Sequence, residues 1–117
     1  MEGLNLKELC EKINSFAEER DWDQFHSIKN LSMALSVESS ELLEIFQWMT
    51  EDQSNNLSDK DLNKAKEELA DIFVYLVRIS SKLDVDLFEV ASSKIKKNAE
   101  KYPVEKAKGN AKKYTEL

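Results

Sequence analysis

Glycine occurs twice and proline once along 117 residues. Turns, hairpins and bulges draw on those two residues, so a chain with so few of them has little means of building a sheet. The long stretches between them carry apolar residues at helical spacing, and the fold class that follows is all-α. The length suits one domain with one core, spanning residues 1–117.

Four main helices are predicted. The first runs from about Asn5 to Arg20, where Leu6, Leu9, Cys10, Ile13, Phe16 and Ala17 keep the i, i+3, i+4, i+7 rhythm. A polar connector, Glu19 to His26, follows and holds Trp22, Phe25 and the sole histidine. The second helix spans Ile28 to Met49 with a stripe of Leu31, Ala34, Leu35, Leu42, Ile45, Phe46 and Met49. Thr50 to Ser58 reads as a loop, and Ser58 or Asp59 caps a third helix reaching Leu83. Its middle, Leu69 to Ile79, is apolar nearly all round and predicts a central position. Asp86, with Glu89 three residues on, forms a capping box for a fourth helix from Leu87 to Tyr102, which Pro103 stops. The remainder has no period and reads as an extended C-terminal tail. The architecture expected is a four-helix bundle protomer.

Several functional classes fall away on composition. A net charge of −6 repels phosphate polymers, which argues against a nucleic-acid partner. Single copies of cysteine (Cys10) and histidine (His26) rule out a disulfide framework and a Cys/His zinc cage. No apolar run approaches membrane-spanning length, and no signal-peptide pattern opens the chain, so the expectation is a cytoplasmic protein without a membrane partner.

Four carboxylates stand where helices should be apolar. Glu38 and Glu41 fall among Ala34, Leu35, Leu42 and Ile45, while Glu68 and Asp71 open the most hydrophobic segment of the chain. With 23 acids, pairs at this spacing also arise by chance, as at Glu8/Glu11 and Glu18/Asp21, and those read as solvated faces. Facing a core, an ionised carboxylate is costly unless a cation compensates it. Carboxylates without nitrogen or sulfur suit Mg²⁺, with Mn²⁺ as a substitute, and such ions take their remaining oxygens from water and phosphates. A di-iron bundle would need Glu-x-x-His motifs that one histidine cannot furnish. The competing reading is a non-catalytic helical oligomerisation module whose buried acids form salt bridges. Trp48 lies seven residues after Glu41 and Tyr75 four after Asp71, so both can wall a pocket and stack on a base; plain core packing is the alternative.

Three segments, ERDWDQFH (Glu19–His26), VESSELLEIFQW (Val37–Trp48) and EELADIFVYL (Glu67–Leu76), resemble the all-α MazG-like nucleoside triphosphate pyrophosphohydrolases, in particular the branch containing dCTP pyrophosphatases. The ending KYTEL is similar as well. The resemblance implies a Mg²⁺-dependent cut between the α- and β-phosphates of a nucleoside triphosphate, dCTP or a modified pyrimidine dNTP, giving the monophosphate and pyrophosphate. It implies Glu38, Glu41, Glu68 and Asp71 as metal ligands, with Glu38 or Glu41 also taking the proton of the attacking water. Trp22, His26, Trp48 and Tyr75 match positions that shape the nucleotide pocket, and Lys94 and Asn98 match polar groups presented to substrate. A homodimer or homotetramer is implied too. One departure stands out: where close dCTP pyrophosphatases carry a histidine on the first helix, this chain has Ile13.

Overall fold

The computed structural model describes residues 5–117. Its contacts divide the chain after Asp84 into two units.

The first unit holds α1 (Leu6–Glu19), a 3₁₀ turn (Asp23–Phe25), α2 (Ile28–Phe46), α3 (Glu51–Ser54) and α4 (Asp59–Lys82). Each long helix starts where a short polar side chain takes an otherwise orphaned amide. Asn5 accepts from Glu8 N, Ser27 from Asn30 N and Ser58 from Asp61 N. The main packing is α2 against α4, with α1 also on α4, so α4 is the central helix of this unit. Leu31 of α2, 1% exposed, is the most enclosed large side chain, and Ala17, Ala65 and Val77 are buried with it. Small residues at Ala17 and Ala65 let the helices approach.

Two expectations are corrected here. The segment after α2 is not all loop: Thr50 and Gln53 form a reciprocal capping box around the single turn of α3. The second helix is also shorter than expected, since α2 ends at Phe46, short of Met49. The central position expected for α4 holds, though Leu69, Val74 and Leu76 remain exposed.

The second unit, Val85–Leu117, holds α5 (Leu87–Lys101), α6 (Val104–Ala107) and a 3₁₀ turn at Tyr114–Glu116. Asp86 caps α5 by accepting from Phe88 N and Glu89 N; the return bond of a capping box is absent among the described residues. Pro103 stops α5 as expected, yet it also opens α6, because its fixed φ and missing N–H suit a helix start. The tail is therefore not extended. Gly109, at φ 81°, turns it, and Tyr114 meets Tyr102 edge-to-face at 6.0 Å with Lys101 Nζ 4.8 Å from its ring centroid. Among the described residues no helix is long and apolar enough to cross a membrane.

Candidate functional site

The α2–α4 contact brings the two acidic pairs together. Glu38 and Glu41 sit one turn apart on α2, Glu68 and Asp71 one turn apart on α4. Glu38, Glu41 and Glu68 each offer a carboxylate oxygen within 4.8 Å of the others. Asp71 is not part of this trio; it is exposed and lines the adjoining cavity beside Glu38.

The electrostatics of the trio are those of crowded acids. Glu38 is pushed up to about 7, first by the Glu68 carboxyl, with which it competes for one proton, then by burial and by Glu41 and Asp71. For Glu68 the neighbouring Glu38 acts downward, but burial, Glu41 and Asp71 outweigh it and its pKa is raised. Oε2 of Glu38 and Oε2 of Glu68 are shut off from solvent with no hydrogen-bond partner. The ion pairs of the described residues, Arg20–Glu19, Arg78–Asp23 and Lys82–Asp23, leave the trio without a protein cation. Desolvated, unpartnered and anionic oxygens fit a hard divalent cation, which would satisfy both orphaned atoms and relieve the repulsion.

Beside the trio opens a cavity of about 570 Å³, within the range of small-molecule sites. Glu38, Asp71 and Tyr75 line it together with Ile13, Phe16, Trp22 and His26. Phe16 and Trp22 meet edge-to-face at 5.6 Å, and the Trp22 and His26 ring centroids are 6.2 Å apart. The chain reaches this geometry through the end of α1. Asp21 takes a positive φ of 54°, Asp21 N–H donates to Glu18 O and Trp22 N–H to Ala17 O, a Schellman ending that turns Trp22 back toward the helix. The Tyr75 phenol is raised by burial and then by Glu38, Asp71 and Glu41, so it stays protonated as a donor.

A cluster of crowded carboxylates beside an aromatic cavity on two packed long helices is a specific combination, and the comparison with known sequences agrees with it. A model of the MazG-like family matches residues 33–117. The chain belongs to the MazG-like family. It is 43% identical over 104 residues to dCTP pyrophosphatase 1 of Mus musculus and 41% identical over 104 residues to dCTP pyrophosphatase 1 of Homo sapiens. In both cases the match covers 87% of this chain and 61% of the relative, so the chain spans about three fifths of their length. The crystal structure of a pyrophosphatase from Archaeoglobus fulgidus superposes with a TM-score of 0.80 at 32% identity, covering 88% of this chain and 96% of that one.

Of the residues singled out in the sequence of this MazG-like chain, Glu38, Asp71, Trp22, His26 and Tyr75 line one cavity, and Glu41 and Glu68 join Glu38 beside it. Trp48 does not line the cavity and is 89% exposed, just past the end of α2. Lys94 and Asn98 lie on α5, in the second unit. Ile13 is on the cavity wall, so the departure from the dCTP pyrophosphatase pattern falls where a ligand would be touched. The sequence reading missed Lys12 and Arg78, which also line the cavity. Arg78 had a legible signal, a lone cation in an apolar run, but its partners lie more than fifty residues away.

Proposed function

We propose that this chain is a nucleoside triphosphate pyrophosphohydrolase, acting as a single domain, that converts dCTP or a modified pyrimidine dNTP to the monophosphate and pyrophosphate. The observation that carries the reading is the pair of buried, partnerless carboxylate oxygens, one of them on Glu38, which lines the aromatic cavity. The relatives' names, dCTP pyrophosphatase and pyrophosphatase, support it.

Glu38, Glu41 and Glu68 would hold Mg²⁺, or Mn²⁺ in its place, with Asp71 contributing from the cavity side. When bound, the ion supplies positive charge against the triphosphate and polarises the attacking water. Glu38, or Glu41 one turn away, accepts the proton of that water as it attacks the α-phosphorus. Trp22 stacks on the base, and Tyr75 donates from the cavity wall. Lys12, the lysine on the cavity wall, offsets phosphate charge. Lys94, Asn98 and Trp48 are proposed as further substrate contacts on the strength of the family resemblance. Exposed apolar side chains along α2 and α4, among them Met33, Val37, Leu43 and Leu69, support assembly as a homodimer or homotetramer. A cytoplasmic location accompanies a substrate drawn from the free nucleotide pool. Within the described residues no cation pairs with the trio, so the helical-module alternative would draw its cations from another copy of the chain.

The test is product identity. Incubated with dCTP and Mg²⁺, the chain should release dCMP and pyrophosphate in equal amounts, resolved by ³¹P NMR, and chelator should stop the reaction. Glu68→Ala should lower turnover at least a hundredfold with helicity retained by circular dichroism. Orthophosphate as the product, or full activity in Glu68→Ala, would overturn the assignment.

A further inference from the structure

Arg78 is 4% exposed, the only charged residue so enclosed among the described ones. Each of its three nitrogens has a partner. Nη1 donates to Asn14 Oδ1 at 2.9 Å and Nη2 to Asp23 Oδ1, while Nε and Nη2 reach Nδ1 of His26 at 3.4 and 3.3 Å. The orientation of each partner is itself fixed. Asn14 Nδ2 donates to Ser81 Oγ at 2.9 Å, which turns its oxygen toward Arg78, and Lys82 Nζ holds Asp23 at 3.3 Å. A guanidinium keeps its protons in a protein and has no lone pair to offer, so it meets other groups only as a donor. His26 Nδ1 must therefore accept, which leaves the ring hydrogen on Nε2. Among the described residues no acceptor takes that Nε2–H, and the ring stands on the cavity wall next to Trp22.

We propose that Arg78 is a positioning residue: by occupying Nδ1 of His26 it fixes the Nε2–H tautomer and makes the ring an obligatory donor to a carbonyl oxygen or ring nitrogen of the bound base. The proposal rests on the nucleotide reading above. A base edge suits this donor better than a phosphate does, because a phosphate would favour a second proton on the ring. Burial and the charges of Arg78 and Lys82 oppose that proton and lower the His26 pKa, against an opposing pull from Asp23. The cavity is thereby polarised. Tyr75 feels Glu38, Asp71 and Glu41, whereas the charges acting on His26 are Arg78, Asp23 and Lys82. A nucleotide whose phosphates lie by the acid trio would thus present its base to a neutral, fixed donor.

His26 is the sole histidine, so the untagged, ¹⁵N-labelled chain gives a single pair of imidazole nitrogen signals. Long-range ¹H–¹⁵N correlation at neutral pH should report Nε2–H with a bare Nδ1. Adding α,β-imido-dCTP with Mg²⁺ should shift the Nε2 proton downfield. In Arg78→Met the ring should pass to a mixture of tautomers, and KM for dCTP should rise about tenfold, the size of one lost hydrogen bond, while kcat moves less than threefold. Once His26→Ala is in place, adding Arg78→Met should raise KM no further, since the guanidinium acts through the ring. Arg78→Lys should not rescue, because an ammonium cannot reach Asn14, Asp23 and His26 together. An Nδ1–H tautomer or a charged ring in the wild type overturns the proposal without touching the proposed reaction, and needs no variant to fold. So does a His26 proton that ignores the nucleotide, or an additive double variant. Failure of the imido nucleotide to bind, together with no dCTP hydrolysis, would instead sink the nucleotide reading and this inference with it.

Discussion

Trp22 and Trp48 are the same residue type in different circumstances. Trp22 is held by the Schellman turn against Phe16 on the cavity wall, and Trp48 stands almost fully in solvent beyond α2. The difference is readable by fluorescence. Trp48→Phe leaves Trp22 as the sole indole, and its emission should be quenched on titration with α,β-imido-dCTP and Mg²⁺. Trp22→Phe, which leaves Trp48, should show the weaker quenching, because Trp48 lies off the cavity wall; the opposite result would exchange their ranks as substrate contacts. The sequence placed Trp48 on the Glu41 face by helical spacing, but periodicity fixes the face of a residue only while the helix lasts, and α2 ends at Phe46. Glu38 and Glu68 were legible for the converse reason. Each lies inside a long helix, on an apolar stripe, where a charge is conspicuous. Asp71 was expected among them and stands just outside, because spacing along one helix does not fix its distance to a neighbouring helix. Arg78 was not legible as a site residue because its partners Asn14, Asp23 and His26 come from α1 and the connector, far away in sequence.

At the level of elements, the four long helices were readable since each carries several turns of the apolar rhythm and a polar cap. The one-turn helices α3 and α6 carry less than a full period, so periodicity could not show them. The Thr50/Gln53 spacing of a capping box was present in the sequence all the same. The element that matters most for the site is the end of α1. A side chain at φ 54° is tolerated in Asp better than in most residues, and forbidden in practice to a β-branched one. Asp21→Gly should therefore keep the thermal midpoint close to wild type. Asp21→Val should lose roughly 1–2 kcal/mol in urea unfolding and weaken nucleotide binding, because Trp22 follows directly. Equal stability of the two variants would mean that the turn is not held as described.

For the whole molecule, the acid cluster makes stability a function of both pH and cation. In the cation-free folded chain the Glu38 pKa is about 7, against an ordinary 4.5. Between those values the folded state keeps a proton that the unfolded chain has released, so this contribution is complete below 4.5 and is lost as pH rises toward 7. His26 runs the other way: its lowered pKa gives a contribution present above its ordinary 6.5 and lost as pH falls. Comparison with Glu38→Gln separates the two, since both chains keep His26. In chelator, the variant should gain thermal midpoint relative to wild type as pH is raised from 4.5 to 7, by thermal melts followed in circular dichroism. Excess Mg²⁺ at pH 8 should reverse the order, because an ion bound only by the folded chain stabilises it by mass action, about 2.7 kcal/mol at a hundredfold excess over Kd. The wild type then rises and the variant, short of one anionic ligand, rises less. A gap that ignores pH, or a wild-type midpoint that ignores Mg²⁺, would show that the three glutamates do not act as one cation-dependent unit. A chain already at net charge −6 tolerates such a cluster because the repulsion it adds is relieved whenever the cation is present, which ties the folded state to the ion its proposed chemistry requires.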